Sequence, residues 1–248
     1  MTKLRSFLFV VWMYVGMVVI GTLFLPSLIL PGPLVRGAPW LWSRQVRWGL
    51  RWIAGVKTEL RGLEHFTGEP VLYAGKHQAM LDVLVPFMVP RITPVMVLKK
   101  ELLWYPIFGW YALRLGCIPI DREASAKALK SMVAASKVQI AKGRSIVIFP
   151  EGTRMAPDAP PDYKPGVAAL YRALDVACVP VATNAGLCWP AKGLTRRPGT
   201  IVYEALAPIP AGQDRRGFAS ALQSAIEDAS DALIAEGRAA RGRNISES

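Results

Sequence analysis

One uninterrupted apolar run, Phe7 to Leu30, contains no charged side chain and constrains this chain more than any other feature. As an α-helix, the part that precedes Pro26 would be roughly 28 Å long, close to the thickness of a bilayer's hydrocarbon core. A cleaved secretory signal usually has a shorter apolar core that ends in a small-residue cleavage site, and no such site closes this run. The run therefore predicts a retained membrane anchor. Because it is the only run of its kind in the sequence, a multi-span transporter is excluded.

A second segment, residues 40–55, has the pattern of a helix that lies flat at a membrane surface. Arg44, Arg47 and Arg51 are three and four residues apart, so they lie on one helical stripe. The rest of the segment is covered by Leu41, Trp42, Val46, Trp48, Leu50, Trp52 and Ile53. Aromatic residues beside an arginine stripe are typical of an interfacial helix. A buried helix whose arginines face water remains the alternative.

Basic residues flank the apolar run on both sides, which bears on its orientation. Lys3 and Arg5 precede the run, while Arg36 and the arginines of residues 40–55 follow it. Both flanks prefer the cytoplasmic side, so a single crossing would place one of them unfavourably. A hairpin in one leaflet, broken near Pro26 and at the turn of residues 31–33, satisfies both. We therefore expect residues 1–55 to form a membrane-anchoring helical hairpin and residues 56–248 to form a separate domain.

The composition narrows the partners of the chain. Its formal net charge is +12, and 52% of its residues are hydrophobic. So much apolar surface excludes a disordered chain and makes an anionic lipid surface or a phosphorylated substrate a better partner than nucleic acid. The three cysteines, Cys117, Cys178 and Cys188, have no C-x-x-C spacing. We therefore expect free thiols and neither a zinc site nor a disulfide framework.

From Val56 onward, short runs rich in Val and Ile alternate with helical segments, which predicts an α/β fold with a central, mostly parallel sheet flanked by helices. Helices are expected at Ala124–Lys142, which Gly143 would end, and at Asp214–Ala240. The seven expected strands are residues 57–61, 71–74, 94–98, 117–120, 145–149, 176–182 and 200–205.

His77 is the first candidate for chemistry, because it directly follows an expected buried strand and catalytic groups in α/β folds gather at strand ends. Asp82 comes five residues later. On one straight helix these positions are about 140° apart and could not touch. They can meet only if His77 lies in the strand-to-helix turn and Asp82 in the first helical turn. Asp82 could then bind Nδ1–H of the imidazole and leave Nε2 free as a base.

Cationic and hydroxyl side chains follow several other expected strands. Phe149-Pro150 leads into a turn formed by Glu151, Gly152, Thr153 and Arg154. Arg122 follows the strand near residue 120, and Lys100 follows the strand near residue 98. Cations of this kind near a single histidine suit a phosphorylated substrate, since a guanidinium matches phosphate geometry. Each of them taken singly is also compatible with a surface ion pair to a neighbouring carboxylate.

At these residues the chain resembles the lysophosphatidic acid acyltransferase branch of the glycerolipid acyltransferase family. His77 to Asp82 resembles its His-x4-Asp block, residues 116–122 its second block, and residues 149–154 match its third block residue for residue. Residues 179–181 look like the fourth block, so the resemblance covers roughly residues 57–205. Lys76 stands where the family often has Asn, and Ala79 replaces a small hydroxyl residue.

The resemblance implies transfer of an acyl group from acyl-CoA or acyl carrier protein to the sn-2 hydroxyl of lysophosphatidate, without a cofactor or metal. It implies His77 as general base, Asp82 as its orienting partner, and a phosphate site formed by Lys100, Arg122 and the turn residues 151–154. It also implies an enzyme on the cytoplasmic face of a bacterial inner membrane. Another lyso-lipid acceptor, such as a lyso-ornithine lipid, and a non-catalytic membrane lipid-binding protein remain as alternatives.

Overall fold

The computed structural model describes residues 2–30, 32–121 and 125–246. Its centre is a seven-stranded sheet in the order β1-β7-β6-β2-β5-β3-β4, in which every neighbouring pair is parallel except β6 and β7. The strands are β1 (Val56–Arg61), β2 (Leu72–Gly75), β3 (Pro94–Lys99), β4 (Ile118–Ile120), β5 (Ser145–Ile148), β6 (Cys178–Thr183) and β7 (Gly199–Ala205). All seven expected strands are therefore present, and the mostly parallel sheet is confirmed.

Helices cover both faces of this sheet, as the α/β prediction requires. They are α1 (Thr2–Leu23), α2 (Pro26–Ile29), α3 (Gly37–Gly49), α4 (Phe108–Arg114), α5 (Ser125–Ala141), α6 (Gly166–Leu174), α7 (Ala185–Cys188) and α8 (Arg215–Ser246). Both expected long helices are found as α5 and α8, although Ala124 lies outside the described residues. Gly143 follows α5 with φ of +70°, a conformation that favours glycine and stops a helix.

The alternation of side chains along the buried strands builds two cores. Leu72 and Ala74 of β2 belong to a core that also contains residues of α5, α6 and α8. Tyr73, between them, belongs to the core on the opposite face, which includes residues of α1 and α3. Because successive side chains of a strand point to opposite faces of the sheet, one strand contributes to the cores on both faces. The N-terminal helices are thus packed onto one face of the α/β domain.

The N-terminal helices α1 and α3 form an antiparallel hairpin, and its anchoring in a membrane stays a prediction. Nε1 of Trp42 in α3 donates to the carbonyl oxygen of Met13 in α1 at 3.1 Å. Trp12 and Gln45 exchange two side-chain-to-carbonyl hydrogen bonds of 3.0 and 2.9 Å. Near the open end of the hairpin, Nε of Arg5 donates to the carbonyl oxygen of Ile53 at 2.6 Å. The chain reverses between Leu23 and Gly37, the stretch that contains Pro26 and Pro33.

The segment expected as one interfacial helix is α3 followed by a π-helical turn, Leu50–Ala54, that ends at Gly55 with φ of +72°. Arg44, Arg47 and Arg51 are all exposed. Trp42 is buried, whereas Trp40, Trp48 and Trp52 are exposed, so aromatic rings share the solvent face with the arginines. Two of these rings make cation–π contacts: Arg44 lies 4.9 Å from the Trp40 ring and Arg51 lies 5.5 Å from the Trp52 ring.

Within the described residues, α1 is the one helix long and apolar enough to cross a membrane, with a mean hydropathy of 2.1. Only 28% of this apolar stretch is buried inside the protein. Length and composition alone also fit a signal sequence or the core helix of a soluble protein. The low burial makes a core helix the poorer description of α1.

Candidate active site

The candidate site begins where β2 ends, in the middle of the sheet. All four residues of β2 are buried, because the strand lies between β5 and β6 and has a core on each face. The backbone N–H of Lys76 still donates to the carbonyl oxygen of Val181 at 2.9 Å, and the chain then leaves the sheet at His77. The carboxyl ends of β2, β5 and β6 lie at the same edge because the three strands are parallel.

His77 and Asp82 meet at this edge as the spacing argument required. A short 3₁₀ helix, Met80–Val83, begins just after His77, and Ala79 before it is extended. This places Asp82 in the first helical turn, with its Oδ2 2.8 Å from Nδ1 of His77. A carboxylate can only accept, so Nδ1 carries the hydrogen. Nε2 is then the ring atom able to take a proton, and it makes no hydrogen bond within the described residues.

Asp82 is 1% exposed and is held by three further donors. Its Oδ2 accepts from the backbone N–H groups of Gln78 at 2.6 Å and Ala79 at 2.7 Å. Its Oδ1 accepts from the hydroxyl of Tyr203 at 2.6 Å. Burial raises the pKa of Tyr203 well above its usual value, and the Asp82 carboxylate raises it further, so the phenol stays protonated and remains a donor. The carboxylate is therefore fixed before any substrate arrives.

Tyr203 is a site residue that the sequence analysis missed. It lies in β7, 121 residues beyond Asp82, and reaches Asp82 across β6. Nothing in its local sequence distinguishes it from other strand tyrosines. Only the antiparallel pairing of β6 with β7, which the local pattern did not predict, brings it to this edge of the sheet.

The imidazole is also fixed from its face and from its backbone. The His77 ring stacks on the Phe149 ring with centroids 4.3 Å apart and an angle of 22° between the planes. The carbonyl oxygen of His77 accepts from the N–H of Met155 at 2.7 Å. Both contacts come from the segment that contains residues 149–154, so the first and third family blocks are packed directly together.

Glu151 is buried, and no arginine pairs with it within the described residues. Its Oε2 accepts from the N–H of His77 at 2.9 Å, and its Oε1 lies 2.8 Å from Nζ of Lys76. The family resemblance implies instead that Glu151 belongs to the phosphate site. A carboxylate repels a phosphate dianion, so this placement makes Glu151 a support for His77 and Lys76.

Lys76 connects this carboxylate to the C-terminal helix. Its Nζ also lies 2.6 Å from Oε2 of Glu227 in α8, and the hydroxyl of Tyr163 donates to Oε1 of Glu227 at 2.8 Å. Burial lowers the pKa of Lys76, but the bonds to Glu151 and Glu227 outweigh burial and hold this pKa above its ordinary value. Burial likewise raises the pKa of Glu151, against the opposing effect of Lys76. The lysine that departs from the family pattern is thus a buried, charged bridge behind His77.

Four other expected phosphate ligands, Gly152, Thr153, Arg154 and Lys100, follow strands that end at the same edge of the sheet. Gly152 has φ of +69°, so the turn itself requires glycine there, and Thr153 and Arg154 are exposed just beyond it. Lys100 is exposed after β3, two strands away from β2, with Nζ 3.9 Å from Oδ2 of Asp121. Arg122 lies outside the described residues. No group of three or more metal-binding side chains that could hold a metal ion occurs in the part of the chain that the structure describes.

The sequence and the fold match known proteins at these residues. The model of a protein family described as Acyltransferase matches residues 57–184, which contain β2 to β6, all of β1 except Val56, and the His77–Asp82 pair. The 1-acyl-sn-glycerol-3-phosphate acyltransferase of Pseudomonas aeruginosa is 37% identical over 161 residues, which cover 64% of this chain and 62% of that protein. The enzyme of the same name from Limnanthes alba is 34% identical over 160 residues, covering 64% and 56%. The chain thus matches about three fifths of the length of these curated relatives.

The fold also matches a solved structure. The crystal structure of the 1-acyl-sn-glycerophosphate acyltransferase PlsC from Thermotoga maritima superposes with a TM-score of 0.74 and 21% sequence identity. The match covers 95% of this chain and 97% of that one, so it includes the N-terminal helices as well as the sheet. At this identity the match shows a shared fold.

Proposed function

Because this chain belongs to the Acyltransferase family, we propose that it is a 1-acylglycerol-3-phosphate O-acyltransferase. It would move a fatty acyl group from a thioester carrier to the sn-2 hydroxyl of lysophosphatidate and so produce phosphatidate. The observation that carries this proposal is the pair formed by partly exposed His77 and buried Asp82 at the sheet edge, packed against the turn that ends in Arg154. The names of the curated relatives support the choice of acceptor.

The pair supports a direct transfer mechanism. Nε2 of His77 takes the proton of the acceptor hydroxyl as the oxygen attacks the thioester carbonyl carbon. Asp82 holds the imidazole in the required tautomer and stabilises the imidazolium that forms. The tetrahedral intermediate then collapses, the carbon–sulfur bond breaks, and the thiolate leaves with the proton from His77. The step gives a free thiol and an ester, and general-base help of this kind contributes about 10²–10⁴-fold.

The charge distribution supports a phosphorylated acceptor. Thr153, Arg154 and the N–H groups of the turn follow β5 beside His77, and Lys100 and Arg122 follow the strands beyond it. An exposed arginine offers a fork that matches a phosphate group. Glu151 would act behind His77 through Lys76 and the His77 N–H, and not as a phosphate ligand.

The acyl donor is proposed from the charge of the chain, and its location from the apolar hairpin and the lipid substrates. Coenzyme A and acyl carrier protein are both anionic, and a net charge of +12 would attract either. The transfer itself needs no cofactor or metal. We place the protein at the cytoplasmic face of a bacterial inner membrane, with the hairpin of α1 and α3 in or on one leaflet. This placement would spare the enzyme the cost of extracting lipid substrates into water.

The test is an acceptor panel with the full chain in phospholipid vesicles. Lysophosphatidate, lysophosphatidylcholine and a lyso-ornithine lipid are each offered with acyl-CoA and with acyl carrier protein, and products are identified by mass spectrometry. We expect phosphatidate as the main product, and we expect Arg154→Ala to raise the KM for lysophosphatidate about 10–100-fold. Turnover confined to another lyso-lipid, or none with any acceptor, would overturn the proposal.

A further inference from the structure

A buried arginine outside the family's blocks lies at the same edge of the sheet. Arg196 belongs to the segment between α7 and β7 and is only 4% exposed. Charged side chains are rarely buried so deeply without an ionised partner. Among the residues that the structure describes, no carboxylate pairs with Arg196 or with Arg154.

The contacts of the Arg196 guanidinium leave its Nε–Nη2 edge without a partner within the described residues. One face lies over the Trp189 ring, with 4.3 Å from Cζ to the centroid, and the Phe9 ring of α1 is 5.9 Å away. Its Nη1 donates to the carbonyl oxygens of Gly193 and Thr195 at 3.3 and 3.4 Å. Its Nε is buried without a partner, and its Nη2 makes no hydrogen bond within the described residues. The Nε and Nη2 hydrogens point the same way and together form the pair that binds a phosphate or carboxylate with two parallel bonds.

The backbone of Arg196 is also held in place by a hydrogen bond. The N–H of Arg196 donates to Oγ of Ser6 in α1 at 2.8 Å. The side chain is therefore positioned by the N-terminal helix on one side and by Trp189 on the other. Little rotamer freedom remains to be lost when an anion binds, which favours a preorganised site.

A hydrogen bond connects the segment that carries this arginine to the proposed catalytic residues. Gly186 of α7 donates its N–H to Oε1 of Gln78 at 2.9 Å, so the helix that leads to Trp189 is tied to the residue after His77. Burial lowers the pKa of Arg196 to about 10; Tyr14 opposes this shift, and the positive charge of Arg154 adds to it. No carboxylate pairs with either guanidinium within the described residues. An anion is the partner that this arrangement lacks.

We propose that Arg196 binds the phosphate of the acyl acceptor together with Arg154, at a site between the catalytic edge and helix α1. This inference rests on the proposed function for the identity of the acceptor. The anion would meet Nη2 first and then accept from Nε. Because Ser6 and Phe9 help to form the site, the membrane hairpin contributes directly to substrate binding.

The test compares Arg196→Gln with Arg197→Gln, which removes the same charge from the adjacent exposed position. The readout is the ratio of kcat/KM for lysophosphatidate to that for monoacylglycerol, which has the hydroxyl but lacks the phosphate. We expect Arg196→Gln to lower this ratio about 10–100-fold, mainly through KM, and Arg197→Gln to leave it unchanged. An unchanged ratio in Arg196→Gln would overturn the inference while the proposed function stands.

A binding measurement keeps the two proposals distinguishable. We expect glycerol 3-phosphate to raise the unfolding temperature of the full chain in detergent and to lose this effect in Arg196→Gln but not in Arg197→Gln. That result would support the anion site even if the wild-type protein proved inactive on lysophosphatidate. Equal protection of both variants would contradict it. If Arg196→Gln fails to fold, Arg196→Lys keeps the charge without the fork, and an undiminished ratio in that variant would contradict the bidentate site.

The remaining alternative is an anionic lipid of the bilayer as the bound phosphate. It predicts that Arg196→Gln weakens binding to phosphatidate-containing vesicles but leaves the KM for lysophosphatidate in neutral detergent micelles unchanged. That combination would overturn the assignment to the acceptor.

Discussion

At the scale of single residues, the candidate site depends on how the chain leaves β2. Gln78 and the extended residue Ala79 separate His77 from the 3₁₀ helix, and this break in regular structure lets side chains five positions apart touch. From the first turn of that helix, the Asp82 side chain reaches back and accepts from the N–H groups of Gln78 and Ala79, which directly precede the helix. The same carboxylate thus caps the helix and orients the imidazole, so the local fold and the chemistry have one physical cause.

The four donors to Asp82 predict a graded response to substitution. Asp82→Asn cannot accept in the same way and should lower kcat about 10³–10⁴-fold, because the imidazole loses its fixed tautomer. Tyr203→Phe removes one donor of four at constant shape and should lower kcat about 10-fold. Steady-state kinetics in vesicles measures both, with thermal unfolding as the control for folding. A Tyr203→Phe loss as large as that of Asp82→Asn would contradict the supporting role of Tyr203.

Lys76 shows how a departure from a family pattern becomes intelligible only in three dimensions. The sequence places a lysine beside the histidine, which suggests a surface cation or a substrate ligand. In the structure it is buried between Glu151 and Glu227. Its charge is matched by carboxylates from two distant parts of the chain, so its neighbours in sequence gave no sign of its role.

Removing this buried ion pair should lower the free energy of unfolding much more than removing an exposed ion pair. Lys76→Met leaves Glu151 and Glu227 without their cation and should lower the free energy of unfolding by about 3–5 kcal/mol. Lys99→Met breaks the exposed pair with Glu101 and should cost less than about 1 kcal/mol. Urea denaturation of both variants at about neutral pH measures the difference in unfolding free energy. Equal losses would show that burial does not set the strength of this network.

The raised pKa of Lys76 also predicts a pH dependence. The stability that this group contributes is fully present below its ordinary pKa of 10.5 and is lost as the pH rises through the higher pKa of the folded state. Lys76→Arg stays charged at alkaline pH and should lose less stability than the wild type above pH 10.5. Unfolding free energies measured from neutral to strongly alkaline pH test this, and parallel curves for the two proteins would contradict it.

At the scale of secondary-structure elements, local sequence patterns predicted the features that depend on residues close together in sequence. Short buried runs rich in Val and Ile gave all seven strands, and the spacing of apolar residues with Gly143 gave α5. Strand order and the reversal between β6 and β7 depend on contacts far apart in sequence, so the sequence did not predict them. Tyr203 and the Lys76–Glu227 bridge depend on that arrangement and were missed for the same reason. His77 with Asp82 was found because both lie within one strand-to-helix turn.

The hairpin of α1 and α3 is an element whose removal has a clear physical consequence. Phe9 packs edge-on against the buried Trp189 at 5.3 Å between centroids, and both belong to the core on that face of the sheet. Deleting residues 1–55 exposes that face, so we expect the truncated chain to aggregate without detergent. Light scattering and size-exclusion chromatography measure this against the full chain. A monomeric, soluble and fully active truncation would show that the hairpin is dispensable.

At the scale of the whole molecule, the exposed apolar side chains extend from α1 to a second region. Tyr111 in α4 donates to the carbonyl oxygen of Gly21, and Arg114 donates to those of Leu28 and Leu30, so α4 is fixed against the end of the hairpin. The large apolar side chains that remain exposed in this region are Trp104, Tyr105, Trp110 and Leu113. Apolar surface of this extent beside exposed arginines and tryptophans favours membrane docking.

The arginine stripe of α3 and the following turn predicts a dependence on lipid charge. Replacing Arg44, Arg47 and Arg51 together by Gln should weaken binding to anionic vesicles about 10²-fold at low salt, since each cation near the surface contributes about 1 kcal/mol. The control replaces Lys164, Arg215 and Arg216 by Gln; these cations lie beside the N-terminal part of α8. Vesicle sedimentation measures both, and equal losses would contradict a specific docking face.

The most direct measurement is single-turnover acyl transfer by His77→Ala in vesicles, compared with the wild type and with His65→Ala, which removes the other of the two histidines, in the 3₁₀ turn Leu63–His65 after β1. The account predicts a rate lower by about 10²–10⁴-fold for His77→Ala, unchanged vesicle binding, and a wild-type rate for His65→Ala. If His77→Ala transfers the acyl group to lysophosphatidate at the wild-type rate, the imidazole is not the base and the central claim is wrong.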